Sequence, residues 1–186
     1  MKKIIIFIPL LLLLLLIISC NGKKVEKQIA KIDSLAKIMD SVDQKLKLIN
    51  HDTIVNRYHT YQITLDTLSK HFKEVKTDVS FKYLCAYQEV RKPFKTMSFS
   101  YGVYKTEIDS TIKQLNDLKH DVKEKLISDK EFETFFMNEC NSVNAVFCKV
   151  SKNVDNVLLQ MKNYDTVHPY LTKLINNHKS GKKTSK

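Results

Sequence analysis

The four cysteines are the residues of this chain with the most distinctive chemistry, and one of them differs from the others by its position. Cys20 directly follows a long apolar run near the N-terminus. The other three lie well inside the chain, at Cys85, Cys140 and Cys148. A thiol next to a membrane can carry a lipid, whereas thiols inside an exported domain can form disulfides. The surroundings of each cysteine therefore decide which of these two reactions is expected.

The residues before Cys20 have the order of a secretory leader. Two lysines at positions 2–3 precede residues 4–18, which form an apolar run without a charge. The run ends in Ile17-Ile18-Ser19-Cys20, which places a branched apolar residue three positions before the cysteine and a small residue directly before it. This tetrapeptide resembles the lipobox of bacterial lipoproteins, although Ile18 is a less usual occupant of its position. The resemblance covers the first 20 residues only.

The resemblance implies cleavage before Cys20, a diacylglyceryl thioether on its sulfur and a fatty acyl group, such as palmitate, on the new amino terminus. Each buried methylene contributes about 0.8 kcal/mol, so two or three chains form a stable anchor. The alternative is an uncleaved signal anchor. Residues 4–18 are short for a spanning helix, which needs about 20 residues. Positive charge just after the run, at Lys23 and Lys24, also opposes that alternative.

The residues after Cys20 refine the expected location. Asn21 stands where inner-membrane lipoproteins of enteric bacteria often have aspartate, so the resemblance favours an outer-membrane anchor that faces the periplasm. Residues 20–24 form a short tether. Four lysines follow closely and could meet anionic headgroups at about 1 kcal/mol each; they are Lys23, Lys24, Lys27 and Lys31. The sequence therefore predicts a body held close to the membrane.

The other cysteines and the six histidines give no metal or redox motif. Cys140 and Cys148 lie eight residues apart on one predicted helix, about 12 Å by rise, which is too far for a disulfide. Cys85 and Cys148 lie beside their apolar stripes and could pair in an oxidising periplasm. No CxxC, CxxCH or ExxH spacing occurs, and no Gly-rich phosphate loop or nucleophile elbow. We expect no metal, no cofactor beyond the lipid on Cys20, and no enzymatic activity.

Composition and charge narrow the class of protein further. The formal net charge is +11, and it falls to +9 when Lys2 and Lys3 leave with the leader. Only two of the 31 basic residues are arginines, and nucleic-acid surfaces usually need more for bidentate contacts. Three glycines and three prolines in 186 residues are too few for the many turns of a β or α/β fold. The chain is expected to form a few long helices and not to bind nucleic acid.

Heptad spacing of apolar residues predicts these helices. A first helix over residues 24–49 repeats Val25, Ile32, Met39 and Leu46, and a second over residues 53–76 alternates apolar residues in steps of three and four. A third over residues 78–127 keeps its register through Pro93, where we expect a kink or break. The fourth begins with the capping box of Ser128 and Glu131 and ends near Asp165, after which Pro169 could open a last short helix.

The fold predicted from these patterns is all-α: an elongated antiparallel bundle of four to five helices with coiled-coil-like heptad packing. The domains would be a cleaved signal peptide (1–19), the lipidated tether (20–24), a helical bundle (25–178) and a disordered basic tail (179–186). Heptads do not say whether the partner stripe comes from the same chain or from another. The oligomeric state therefore stays open.

Six tyrosines fall on the inward stripes of the second and third helices: Tyr58, Tyr61, Tyr83, Tyr87, Tyr101 and Tyr104. Buried hydroxyls need hydrogen-bond partners, so this layer could be partly polar or could open as a groove. The leading interpretation is a membrane-tethered cell-envelope lipoprotein that acts as a non-enzymatic interaction or structural bundle, with an envelope protein as its partner. The alternative is a binding module, chaperone-like or specific for a small ligand, that uses a tyrosine-lined groove.

Overall fold

The computed structural model describes the backbone of residues 2–71 and 78–183, and the side chains of residues 22–70 and 81–177. Its helices are α1 (Lys2–Lys47), α2 (His51–His71), α3 (Asp78–Glu89), α4 (Arg91–Lys123) and α5 (Asp129–Lys183). No strand occurs within the described ranges. The all-α helical bundle predicted from the heptads is thus confirmed. Because α1 begins at Lys2, residues 20–24, predicted as a tether, are helical in the full chain.

Side-chain caps fix where two helices begin. Asn50 precedes α2, and its side-chain oxygen accepts a 2.9 Å hydrogen bond from the backbone N–H of Thr53. Asp52 lies in the first turn of α2, where its charge favours the helix dipole. The capping box that opens α5 is confirmed: Ser128 N–H donates to the Glu131 carboxylate at 2.7 Å, and Glu131 N–H donates to the Ser128 hydroxyl at 3.4 Å.

The two prolines inside the bundle have opposite effects. The predicted break before Pro93 occurs at Val90, between α3 and α4, which places Pro93 in the first turn of α4. No ladder bond is lost there, because the first N–H groups of a helix have no intrahelical partner. Pro169, by contrast, lies inside α5 and does not open a new helix as predicted. Interior proline costs about 3 kcal/mol, and burial of each large apolar side chain contributes about 1.5–3 kcal/mol.

Several such side chains lie on both sides of Pro169. The buried positions of this part of α5 are Tyr164, Val167, Leu171 and Ile175, which continue the three- and four-residue spacing. Their combined burial exceeds the cost of the proline, and α5 therefore continues to Lys183. Residues 179–183, which we expected to be disordered, belong to this helix. Residues 184–186, the remainder of the predicted tail, lie outside the described residues.

The heptad positions of α5 form part of the core, except at one position where the neighbouring residue is buried instead. Along α5 the positions Val143, Val150, Val157 and Tyr164 are all buried. The same seven-residue spacing, counted back from the buried Val154, would place Phe147 in the core, yet Phe147 is 41% exposed and its neighbour Val146 is 8% exposed. A helix turns by 3.6 residues and drifts from a strict seven-residue repeat over several heptads, so the neighbouring residue takes the inward position. The predicted stripe positions Phe72 and Val75 lie outside the described residues.

The helices contribute to two compact units, one made of residues 1–41 and 108–147 and the other of residues 42–107 and 148–186. We call them unit 1 and unit 2. In unit 1, Lys24 pairs with Asp129 and Lys31 pairs with Glu133, so α1 and α5 run in the same direction. The end of α4 runs oppositely, with Lys119 paired to Asp33. The core of unit 1 contains mostly aliphatic side chains: Ile32, Met39, Ile108, Leu115, Leu118, Val122, Val143 and Val146, together with Phe132.

Unit 2 combines the end of α1, all of α2 and α3, the first half of α4 and most of α5. Its α2 runs in the same direction as α5, with Arg57 next to Asp165. Helix α4 runs in the opposite direction to α5, since Phe94 contacts Tyr164 and Glu107 binds Lys149. The core includes valine, leucine and isoleucine, but also four buried tyrosines. This aromatic part of unit 2 contains most of the predicted site residues.

Candidate functional site

All eight tyrosines of the chain lie in unit 2. The four buried ones come from four helices: Tyr61 from α2, Tyr87 from α3, Tyr104 from α4 and Tyr164 from α5. Tyr61 and Tyr87 have ring centroids 4.9 Å apart, and Tyr87 and Tyr164 are stacked at 5.9 Å. Tyr87 thus contacts rings of α2 and α5, and these aromatic side chains form a single packed group. We call Tyr61, Tyr87, Tyr164 and His168 the aromatic cluster.

His168 adds a titratable group to the aromatic cluster. Its imidazole stacks on Tyr164 with centroids 4.6 Å apart, and the Tyr87 hydroxyl lies 2.9 Å from its Nδ1. Thr172 donates its hydroxyl to the His168 backbone carbonyl at 2.9 Å, one turn further along α5. The Tyr87 hydroxyl is also hydrogen-bonded to Thr64 of α2. The network therefore joins α2, α3 and α5 through polar groups inside the core.

Arg57 covers one side of the aromatic cluster. Its guanidinium carbon lies 5.3 Å from the centroid of the Tyr164 ring, and its Nη2 forms a 2.9 Å ion pair with Asp165. A guanidinium over an aromatic face is attracted by the ring quadrupole. The other terminal nitrogen, Nη1, is buried and has no hydrogen-bond partner among the described residues. Arg57 thus contributes a positive charge close to His168.

This environment changes the acid–base behaviour of the cluster. Burial raises the pKa of the hydroxyls of Tyr61, Tyr87 and Tyr164, because the phenolate would lose its hydration. Burial also lowers the pKa of His168, and the positive charge of Arg57 lowers it further. All four groups are therefore held in their neutral forms at neutral pH. Stacking and hydrogen bonds between these neutral groups stabilise the packing of the core.

The tyrosines predicted to line a groove do not form one surface. Tyr61, Tyr87 and Tyr104 are buried in the core of unit 2, and the other three are half-buried. Tyr58 stacks near Tyr61, Tyr83 stacks on Tyr170 at 4.2 Å, and Tyr101 stacks on His51 at 4.8 Å. The tyrosines therefore fill the inside and the rim of the bundle. The sequence missed their partners on α5 because Tyr164 and His168 belong to a different helix, and spacing within one helix does not reveal which layer of another it meets.

The cysteines are too far apart to form the predicted bridge. Cys85, Cys140 and Cys148 are all thiols. Cys85 lies on α3 at the level of α5 residues 164–170, as the contacts of Tyr83 with Tyr170 and of Tyr87 with Tyr164 indicate. Cys148 lies at least 16 residues earlier on α5, which is roughly 25 Å along the helix axis. A disulfide needs Cα atoms within about 7 Å, so Cys85 and Cys148 do not pair in this structure.

The N-terminal end of unit 1 contains the residues next to the predicted lipid. The side chain of Cys20 lies outside the described residues. Lys24 and Lys31, predicted to meet lipid headgroups, instead bind Asp129 and Glu133 of α5. The hydrogen bond from Lys24 lowers the pKa of the Asp129 carboxyl. Lys23 and Lys27 are exposed.

Beside these ion pairs lies a cleft of about 230 Å³. Val25 and Gln28 of α1 form one wall, and Val122, Lys125 and Ile127 form the other. The cleft therefore places the end of α4 and the start of α5 against the first turns of α1 whose side chains are described. It marks the level on unit 1 that is nearest to Cys20.

Within the described side chains, no group of three or more histidine, cysteine or acidic residues is arranged to hold a metal ion. The same part of the chain contains no helix that is long and apolar enough to span a membrane. Compared with known protein families, curated proteins and solved structures, the chain matches none of them. Function must therefore be inferred from the residues themselves.

Proposed function

We propose that the protein is a lipoprotein of the cell envelope, tethered through lipid on Cys20, and that its helical bundle acts as a non-enzymatic interaction or structural module. The observation that carries this proposal is the sequence Ile17-Ile18-Ser19-Cys20 directly after an uncharged apolar run. The distance between the lipid and the body supports it. Lys24 already binds Asp129 of α5, so the packed bundle begins four residues after Cys20.

The inside of unit 2 supports a non-enzymatic function. The hydroxyls and the imidazole of the aromatic cluster contact one another inside the core, as with Tyr87 and His168 at 2.9 Å. Catalytic groups usually face a cleft that a substrate can enter. The alternative, a tyrosine-lined binding groove, is less favoured because Tyr61, Tyr87 and Tyr104 are buried. A ligand would have to displace core side chains to reach them.

Metabolic labelling tests the lipid tether. Cells that express the wild-type protein are grown with an alkyne analogue of palmitate, and the purified protein is examined for the label. We expect labelling of the wild type and its loss in Cys20→Ser. Cys85→Ser is the matched control because Cys85 is an exposed cysteine far from the leader, and this variant should be labelled like the wild type. Equal labelling of wild type and Cys20→Ser would contradict the proposal.

Chemical crosslinking in intact cells tests the interaction part of the proposal. We expect the wild-type protein to crosslink to a defined envelope protein, and the product to be lost when Cys20→Ser releases the bundle from the membrane. A tether that concentrates the bundle at one membrane raises its effective concentration near such a partner. Crosslinks that are equally abundant in both forms would contradict an interaction that depends on the tether.

A further inference from the structure

The loop between α4 and α5, residues 124–128, has an unusual construction. It ends α4 with a Schellman motif: the N–H of Leu126 donates to the Asp121 carbonyl at 2.9 Å, and the N–H of Lys125 donates to the Val122 carbonyl at 3.3 Å. Lys125 has φ of 55° and is the one non-glycine residue with positive φ in the described chain. Glycine usually occupies this position because a side chain is strained there. The loop is therefore closely defined even though it contains no glycine.

Leu126 is exposed by this construction. In most Schellman motifs the residue at this position makes an apolar contact with the last turns of its helix. Here the residues of those turns are Asp121 and His120, which are not apolar partners, and Leu126 remains 65% exposed. The motif thus fixes the backbone of a leucine whose side chain lies in solvent. A hydrophobic side chain held in this way is suited to contact with an apolar medium.

The other side of the loop lies against the N-terminal part of α1. The capping box of Ser128 and Glu131 fixes the start of α5. Ile127 and Lys125 line the cleft opposite Val25 of α1. Cys20 precedes Val25 by five residues, which is roughly 8 Å of helical rise. The loop and the predicted lipid therefore lie close together along the axis of α1.

Charge around the loop fits an anionic surface. Lys123, Lys125 and Lys130 are exposed on or beside it, and Lys23 and Lys27 are exposed on the neighbouring turns of α1. Among the nearby acids, Asp129 binds Lys24 and Glu131 caps α5. Glu124 of the loop and Glu26 of α1 are exposed, so the five exposed lysines outnumber these two acids. Lysines that flank an exposed leucine match the order of a membrane surface, with anionic headgroups outside and hydrocarbon beneath.

We propose that the α4–α5 loop is a second membrane contact, in which Leu126 enters the acyl boundary of an anionic phospholipid bilayer and the surrounding lysines meet its headgroups. This proposal rests on the lipid tether at Cys20, which would hold the loop at the bilayer. With two contacts on one end of unit 1, that unit would have a fixed orientation on the membrane and would not turn freely about the lipid.

Tryptophan fluorescence tests the loop contact, because the chain contains no tryptophan. The full chain is purified from bacterial membranes as Leu126→Trp and as Leu48→Trp, and each form is reconstituted into vesicles of phosphatidylethanolamine and phosphatidylglycerol. Leu48 is the matched control because it is 64% exposed and follows the end of α1 opposite to Cys20. We expect a blue-shifted emission and quenching by bromine-labelled acyl chains for the tryptophan at position 126, and neither for the one at position 48.

Two results would overturn the loop contact: no quenching at position 126, or equal quenching at both positions. Stronger quenching with phosphatidylglycerol than in vesicles without it is expected from the lysines, and equal quenching would overturn their role. The mass of each purified protein shows separately whether Cys20 carries lipid. Failure of the tether and failure of the loop contact are therefore distinguishable, since the mass reports the first and quenching reports the second.

Discussion

The cores of unit 1 and unit 2 are built on the same heptad spacing and differ in their chemistry. Unit 1 buries mostly aliphatic side chains, and three ion pairs on its surface connect its helices. Unit 2 buries tyrosine hydroxyls, which form a network with His168 through Tyr87. Apolar packing depends on area and shape, whereas a hydrogen bond also needs a partner at a defined distance. The same heptad spacing is therefore compatible with a core of mostly apolar side chains and with a core that also contains hydrogen-bonded polar groups.

The difference makes the two units separately observable. Tyrosine fluorescence reports on unit 2 because unit 1 contains no tyrosine. Circular dichroism reports on the helices of both units. Urea unfolding followed by both signals can therefore compare the stability of unit 2 with that of the whole chain.

The largest expected effect comes from removing the central ring of the aromatic cluster. Tyr87→Ala removes a ring that is 0% exposed, contacts three other rings and hydrogen-bonds within the core. We expect a loss of about 3–5 kcal/mol in the free energy of unfolding, measured by urea titration. Phe99→Ala is the control, because Phe99 is 72% exposed on the same bundle and its loss should cost within about 0.5 kcal/mol. Similar losses for both variants would contradict a core built around Tyr87.

Removing single hydroxyls separates hydrogen bonding from packing. Tyr87→Phe leaves the ring but removes the group next to His168 and Thr64, so we expect a loss of about 1–2 kcal/mol in the free energy of unfolding. The Tyr61 hydroxyl is buried without a hydrogen-bond partner among the described residues. Tyr61→Phe should therefore leave stability unchanged or raise it by up to about 1 kcal/mol. A larger loss for Tyr61→Phe than for Tyr87→Phe would mean that the network is assigned to the wrong hydroxyl.

His168 should make the stability of unit 2 depend on pH. The pKa of His168 is lower in the folded protein than the usual histidine value of about 6.5. As the pH falls, the unfolded chain therefore binds the proton before the folded protein does. The free energy of unfolding should therefore decrease as the pH falls from 7.5 to 5, as measured by urea unfolding with tyrosine fluorescence. His168→Gln should make this dependence weaker, whereas His59→Gln, at an exposed histidine of α2, should not. Equal pH dependence in all three proteins would contradict the assignment.

The smallest effect is expected from the ion pairs of unit 1. Lys31 and Glu133 are 3.1 Å apart and both are about half exposed. Exposed pairs contribute about 0–1 kcal/mol and are screened by salt. A double-mutant cycle of Lys31→Gln and Glu133→Gln should give a coupling within this range that falls in high salt. A coupling above about 2 kcal/mol would mean that unit 1, like unit 2, depends on specific polar contacts.

Much of this fold could be predicted because the helices and their inward faces follow local rules. The seven-residue spacing identified most buried positions, and the capping box at Ser128 marked the start of α5. Pro169 shows the limit of such rules. Whether a helix continues through a proline depends on the summed burial around it, and that sum depends on packing against other helices.

The site was less predictable for the same reason. The inward position of Tyr87 could be read from its own helix, but its partner His168 lies 81 residues further along the chain. Repeats of seven residues allow many alignments of two long helices, and they do not say which layers meet. A disulfide between Cys85 and Cys148 was predicted because both cysteines lie beside the apolar stripes of their helices. The alignment of α3 with α5 separates them. The proposal of a lipid on Cys20 depends only on neighbouring residues, so it could be made from the sequence alone.

Mass spectrometry of the N-terminal tryptic peptide is the most direct test of whether Cys20 carries lipid. Cleavage after Lys23 should release residues 20–23 from protein purified out of membranes. We predict that this peptide begins at Cys20 and carries the added mass of a diacylglyceryl group and a fatty acyl chain. A peptide that retains residues from the leader, or that has an unmodified Cys20, would contradict the account.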